Sequence, residues 1–398
     1  MDKIKHEADW TILIYANGNN ELEPEIRQAM FDMEKVGSSF NVHVVLQIGR
    51  AEYKLVKLIR NDINYNDKYS WSGVRRYFVK KGSSELVGNL GKVNLADPKQ
   101  LYYFVKWGIL SYPAKKYMLI LSGHSYNCVG MMTDYSRKAP YIMGFPEMVK
   151  AINMATNEIN KKIDILFLDT CGANSLELIY EFGKDENHAV QNIITYIVNG
   201  PIEGLPYDNL IKIMQTNSST EDITVVIKNI IENLPHDLIS FEINYQKLRQ
   251  IKQLFHDKTF EYISKGTDNG QISSKILLLE RQDIIQSISD KLKSIIIHYK
   301  RHNKQALITI ITSVADNLKL LTRYYQLGFT QDNCWSNVLN DQIIDKDIIN
   351  TVNNGKLLPL KMSPQEVYAY ISIMNPELEK TKKKSILKKL YDYKKWSL

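Results

Sequence analysis

The first two hundred residues alternate between short apolar runs and longer amphipathic stretches. Residues 11–16 (TILIYA) are a run of β-forming side chains, broken by Asn17-Gly18-Asn19-Asn20. Residues 21–36 carry apolar positions at helical spacing: Leu22, Ile26, Met30, Met33 and Val36. Residues 42–48 (VHVVLQI) repeat the buried-strand signal, and residues 53–65 and 73–79 predict a ribbon of shorter strands turning near Tyr65-Asn66-Asp67. A helix is predicted over 98–110, with Asp97 as its cap. Residues 117–122 (YMLILS) and 163–168 (IDILFL) are near-continuous apolar strands, with helices predicted over 145–159 and 173–182 and a further strand over 193–198. Strands that are apolar on both faces and separated by helices predict an α/β fold: a mostly parallel sheet sandwiched by helices.

The second half reads differently. A helix is predicted over 219–233, and from about His236 long helical patterns dominate, over 245–264 and 281–304, before residues 306–312 (ALITIIT) return to a strand pattern. No internal repeat or low-complexity linker intervenes. The change at Leu234-Pro235 predicts two parts, an α/β domain over residues 1–235 and a mainly helical region over 236–398.

Composition narrows the class. The 398 residues allow two or three domains, and 44% hydrophobic with 24% charged residues is globular. Three cysteines are too few for a disulfide scaffold. No apolar run approaches the roughly 18 residues of a membrane helix. Residues 1–10 are charged and run straight into the first strand, without the apolar core of about 7–15 residues that a secretory signal needs, so a cytoplasmic protein is expected. The net charge of +7 belongs to residues 380–398, which hold eight Lys and one Asp. The remainder is balanced, so the basic character is no sign of a nucleic-acid-binding domain. The tail itself predicts a solvated amphipathic helix with Ile386, Leu387, Leu390 and Tyr391 on one face; contact with an acidic partner or a membrane surface is the alternative.

In an open parallel sheet, ligands bind at the carboxyl ends of the strands. Two of those ends carry reactive side chains: YMLILS runs into Gly123-His124-Ser125, and IDILFL into Asp169-Thr170-Cys171-Gly172. A thiolate and an imidazole on neighbouring strand ends suit nucleophilic catalysis, and a helix beginning just after Cys171 would favour a thiolate or an oxyanion at its N-terminus. A buried structural cysteine is the competing reading. Cys128 follows an irregular stretch with no strand ahead of it and reads as structural; Cys334, beside Trp335, reads as a packing cysteine. His298 and His302 have metal-ligand spacing on a predicted helix, but no third ligand is near and a solvated face is the expectation. Gly88-Asn89-Leu90-Gly91-Lys92 is only superficially a phosphate loop, and Trp10, Trp71 and Trp107 read as core.

Seven blocks, in order, resemble the clostripain family of cysteine peptidases, on the caspase–gingipain type of fold. They are residues 10–15 with Asn17-Gly18-Asn19-Asn20-Glu21-Leu22-Glu23; Trp71-Ser72-Gly73-Val74-Arg75-Arg76-Tyr77; residues 90–98 (LGKVNLADP); Tyr112-Pro113-Ala114; Gly123-His124; Asp169-Thr170-Cys171; and Gly204-Leu205-Pro206-Tyr207. The resemblance implies a His124–Cys171 dyad that hydrolyses peptide bonds, with the backbone N–H groups of Cys171 and Ser125 as oxyanion hole. It further implies that Asp169 and Glu203 line a pocket for a Lys or Arg side chain; on the residues alone, a helix cap is the competing reading of Asp169 and a solvated loop charge that of Glu203. Relatives often cut themselves between the dyad's His and Cys, which here points to Arg137 or Lys138, with Pro140 opposing a cut after Lys138. The chemistry needs no cofactor; some relatives use calcium, for which no loop of suitable spacing stands in the sequence. Two departures stand out. The family usually has Gly directly after the histidine, then a further Gly and Trp, where this chain has Ser125-Tyr126-Asn127-Cys128, and it often has Asp where Asn17 and Asn19 stand. Leader removal or ligation on a peptide precursor, or a binding scaffold that has lost turnover, are therefore the alternatives to a Lys/Arg-directed endopeptidase.

Overall fold

The computed structural model describes residues 6–60, 71–126, 128–137, 140–264, 282–302, 307–308, 323–335 and 358–362. The chain opens with β1 (Ala8–Gly18), α1 (Glu23–Glu34), β2 (Val42–Arg50), α2 (Tyr53–Ile59), the hairpin β3 (Gly73–Lys80) and β4 (Ser83–Gly91), and α3 (Pro98–Ser111). Then come β5 (Ala114–Ser122), three short strands, β6 (Ser125–Tyr126), β7 (Gly130–Asp134) and β8 (Tyr141–Gly144), α4 (Phe145–Glu158), β9 (Ile165–Asp169), α5 (Leu176–Gly183) and β10 (Asn192–Tyr196). The rest is α6 (Tyr207–Thr216), α7 (Ile223–Asn233), β11 (Leu238–Glu242), α8 (Tyr245–Ser264), α9 (Gln282–Lys293), β12 (Ile296–Lys300) and β13 (Leu360–Lys361).

Nine strands form one sheet in the order β12-β11-β10-β9-β5-β1-β2-β3-β4. The five central strands, from β10 to β2, are parallel, and antiparallel strands extend both edges. Alternation along β1 shows why the centre must be covered on both faces. Trp10, Ile12 and Ile14 enter one core, shared with α1, α6 and α7, while Leu13 and Tyr15 enter the other, shared with α3, α4 and α5. Asp97 caps α3 by accepting from the Lys99 N–H at 3.0 Å, as its sequence position predicts. Among the described residues no helix is long and apolar enough to cross a membrane.

Several expectations change. Residues 53–59 are helix, not ribbon, because Leu55, Val56 and Ile59 bury one helical face. The helix α6 had no counterpart in the sequence reading. Residues 281–304 do not make one helix: the chain turns after Lys293 and returns as β12, which carries His298. At Leu234-Pro235, where a boundary is expected, the chain does not leave the sheet, since β11 pairs with β10 and β12 with β11. Nor does α5 begin just after Cys171. It starts at Leu176, where the Ser175 side chain accepts from the Leu178 N–H at 3.3 Å. Tyr65-Asn66-Asp67, residues 306 and 309–312, and the basic tail lie outside the described residues.

Candidate active site

One rung of the sheet organises the site. Ala16 of β1 pairs with Ser122 of β5, and Ser122 pairs with Asp169 of β9. The Gly123 N–H then donates to the Asp169 carbonyl at 3.3 Å, so the strands stay together one step further. His124 and Cys171 each stand two residues past the Ser122–Asp169 rung, on adjacent parallel strands that run about 4.8 Å apart. The carboxyl edge of the sheet thus brings the predicted pair to one level.

Local chemistry fixes each member. After Cys171 the chain turns at Gly172, whose φ of 61° is the left-handed region and whose N–H donates to the Val198 carbonyl at 3.3 Å. Cys171 is exposed and its Sγ lies 3.6 Å from the Gly200 carbonyl. Burial around the sulfur, aided by the Asp169 charge, pushes the thiol above its ordinary value against the opposing Gly200 contact. The Ser125 hydroxyl donates to the Cys171 carbonyl, so the side chain that stands where relatives have glycine ties the two loops together. On the other side, the Met132 N–H donates to the His124 carbonyl at 2.7 Å from a bulge in β7, where Met132 itself has φ 63°.

The asparagines of the β1 loop explain the missing aspartates. Asn17 and Asn20 donate to the Thr133 carbonyl at 3.0 and 2.7 Å, and Asn19 donates to Asp134 at 2.7 Å. An amide can donate where a carboxylate cannot. Asp134, buried in β7, also accepts from Leu95 N and Ser136 N at 2.7 Å each. Burial raises the Asp134 pKa against these hydrogen bonds. Among the described residues no group of three or more His, Cys, Asp or Glu is arranged to hold a metal.

Asp169 is not a helix cap. It is 5% exposed, and its Oδ2 accepts from Ser122 at 2.8 Å and Tyr207 at 2.9 Å while Oδ1 accepts from Tyr196 at 2.8 Å. Gly204 packs against it: a β-carbon there would lie 3.1 Å from Oδ2, and the φ of 73° again favours glycine. Glu203, next to Gly204, is exposed. An open groove of about 430 Å³ runs beside this turn, lined among others by Tyr196, Gly200, Pro201, His236, Asp237 and His302. Burial lowers the His236 pKa, while the charges of Asp169 and Glu203 both raise it, so the two acids act on one wall of the groove. His302 pairs with Asp237 at the rim, and His298 pairs with Glu232 at 2.6 Å.

Of the remaining cysteines, Cys128 is buried and its thiol is pushed up to about 12 by desolvation, while Cys334 is half-buried beside the fully buried Trp335. Arg137 is exposed after β7; Lys138 lies outside the described residues. Sequence reasoning missed Glu21. It is fully buried, with Oε1 3.2 Å from His124 Nε2. Its only sequence signal was membership of the first motif block, 103 positions from the histidine, and a non-local contact leaves no periodicity to read.

The family model of the clostripain family matches residues 14–255. Among solved structures, an inactive zymogen C11 protease from Parabacteroides distasonis is similar at 14% identity with a TM-score of 0.56, covering 83% of this chain and 99% of that one. A secreted C11 cysteine protease from Bacteroides thetaiotaomicron called iotapain is similar at 9% identity with a TM-score of 0.56, covering 81% and 98%. A secreted C11 cysteine protease from the same organism, bound to an irreversible peptide inhibitor, is similar at 14% identity with a TM-score of 0.50, covering 73% and 84%. No curated protein gives a significant match.

Proposed function

Because the chain belongs to the clostripain family of cysteine peptidases, we propose that it hydrolyses peptide bonds after Lys or Arg with Cys171 as nucleophile and His124 as proton carrier. The observation that carries this reading is the β5–β9 register, which sets both side chains two residues past one rung at the carboxyl edge. The Cys171 thiol passes its proton to His124 as the sulfur attacks the scissile carbonyl, and His124 gives that proton to the amine as the C–N bond breaks. Water then cleaves the thioester, returning its proton to His124 and the sulfur to its resting state. The N–H groups of Cys171 and Ser125 are the donors for the oxyanion. With a raised resting thiol pKa, the thiolate must be generated with substrate in place rather than stored.

Basic specificity rests on two carboxylates of different reach. A carboxylate has about four acceptor sites, and Asp169 spends three on hydroxyls. The fourth is left for an ammonium or guanidinium entering past Gly204, with exposed Glu203 at the mouth. Self-cleavage at Arg137 or Lys138 belongs to the same reading, because Arg137 is exposed and matches the proposed pocket. Hydrolysis of a Lys- or Arg-containing fluorogenic peptide by cysteine variants tests it. Cys171→Ala should lose on the order of 10⁴–10⁶ in rate and His124→Ala nearly as much, with Cys128→Ala and Cys334→Ala within a few-fold of wild type. Full activity in Cys171→Ala would sink the assignment, and product masses separate hydrolysis from ligation.

A further inference from the structure

Glu21 stands outside the dyad and yet meets it. It leaves the end of β1 in a loop pinned on both sides: Asn20 donates to the Thr133 carbonyl and accepts from the Leu22 N–H at 2.9 Å, and the Glu21 carbonyl accepts from Arg60 at 3.3 Å. Arg60 directs its charge to Glu25, 3.2 Å away. The facing imidazole is held through its own backbone by Met132. Both partners are therefore anchored to β7 and the β1 loop, and their 3.2 Å separation is a property of the scaffold.

A fully buried carboxylate is costly unless something compensates it. Here burial opposes ionisation, but His124, together with the Tyr135 phenol, outweighs it and holds the Glu21 carboxyl below its ordinary value. Among the described residues, Tyr135 after β7 acts on the pair and Arg60 meets the Glu21 backbone, while Cys171 and Asp169 stand at the end of the neighbouring β9.

We propose that Glu21 is a positioning residue of the reaction: facing Nε2 of His124, it keeps a proton on that nitrogen and assigns proton transfer to Nδ1. The proposal rests on the Cys171–His124 reading. In acylation, Nδ1 takes the thiol proton as the S–C bond forms and gives it to the departing amine as the C–N bond breaks. In deacylation, Nδ1 takes a proton from water as the new C–O bond forms and returns it to the sulfur as the S–C bond breaks. Nε2 keeps its proton throughout, and the imidazolium that exists while Nδ1 carries each transferred proton is compensated by the carboxylate.

Glu21→Gln keeps the shape and removes the charge. The expected loss in kcat is on the order of 10²–10⁴, with KM within a few-fold. The acid limb of kcat/KM should move to lower pH, because an imidazole without its carboxylate is protonated less readily. Glu21→Asp, which keeps the charge at shorter reach, should recover part of kcat and return the limb toward its wild-type position. A limb that stays in place in Glu21→Gln, whatever the fall in kcat, makes Glu21 merely structural and overturns the proposal, as does wild-type turnover. Should the variant fail to fold, ¹⁵N spectra of the His124 ring in the Cys171→Ala protein decide: a proton on Nε2 at all pH with Nδ1 titrating is expected, and the reverse tautomer rejects the role. Hydrolysis by Cys171→Ala would instead remove the dyad itself, whereas an inert Cys171→Ala with an unmoved Glu21→Gln profile rejects Glu21 alone.

Discussion

At the scale of single residues, the three thiols separate by environment, and so should their reactivity. Cys171 is exposed, Cys334 is half-buried, and Cys128 is buried with a thiol pushed up to about 12. The thiolate is the reactive form, so iodoacetamide on the folded protein should label Cys171 first, Cys334 more slowly and Cys128 only on unfolding. Peptide mapping checks the order, and early labelling of Cys128 would contradict its burial. Asp169 has two duties that one substitution separates. Asp169→Asn removes the charge offered to a basic side chain, and leaving such a cation unpaired costs roughly 2–5 kcal/mol, so preference for Lys or Arg over Leu should fall by tens-fold or more. The new amide nitrogen also cannot accept from the surrounding hydroxyls, at about 1.5–3 kcal/mol for a hydrogen bond to a charged group. A profile of cleavage with matched peptides and a thermal melt read the two losses; unchanged discrimination would reduce Asp169 to a structural anchor.

At the scale of elements, the turn that follows β10 controls the pocket. Gly204 has φ 73°, and a β-carbon there would lie 3.1 Å from Asp169 Oδ2. Gly204→Ala strains the backbone by about 1–3 kcal/mol and closes the approach to the carboxylate. The expected result is a fall in kcat/KM for basic peptides of tenfold or more beside a stability loss of about 1–3 kcal/mol, measured by kinetics beside a denaturant melt. The helix α5, by contrast, starts five residues after Cys171. Its dipole fades within a turn and contributes little at the sulfur, so Ser175→Ala should cost about 1 kcal/mol of stability and leave turnover unchanged.

At the scale of the whole molecule, segments far along the chain complete the catalytic half. Tyr324, Leu327, Phe329 and Trp335 are fully or almost fully buried in the core shared with α4 and α5, and the Gly328 N–H donates to the buried Glu181 at 2.7 Å. Each such side chain contributes about 1.5–3 kcal/mol on burial, against a net stability on the order of 5–15 kcal/mol for a whole domain. A protein ending at residue 264 should therefore be unfolded or aggregated, as circular dichroism and size exclusion would report, although the family match stops at residue 255. A folded, active truncation would show this packing to be dispensable. The separate four-stranded sheet, in the order β13-β8-β7-β6, acts similarly around the proposed nick. Ser136 is tied to Asp134 at 2.7 Å, and the Pro140 carbonyl accepts from the Met362 N–H at 2.8 Å where β13 joins β8. A chain cut after Arg137 or Lys138 should hence stay as one particle with two chains. Intact mass and size exclusion of wild type beside Cys171→Ala check this; separation of the pieces would mean that the two ends are not held.

The sequence by itself determined the central strands, the helices between them and the edge from which His124 and Cys171 emerge. Those signals are local: apolar runs, breaks at Asn-Gly and Gly-His, and a capping aspartate each act within a few residues. It also identified the family, because seven ordered blocks keep their spacing whatever the tertiary detail. Tertiary structure alone decided the rest. Residues 53–59 became a helix, and residues 296–300 a strand, because each was given a face to bury. Asp169 became the centre of a hydroxyl cage because Ser122, Tyr196 and Tyr207, distant in sequence, converge on it. Glu21 reached His124 because the parallel order of β1 and β5 lays their carboxyl ends side by side. Contacts of that kind are set by which strands pair and in what register, and no window of neighbouring residues contains that choice.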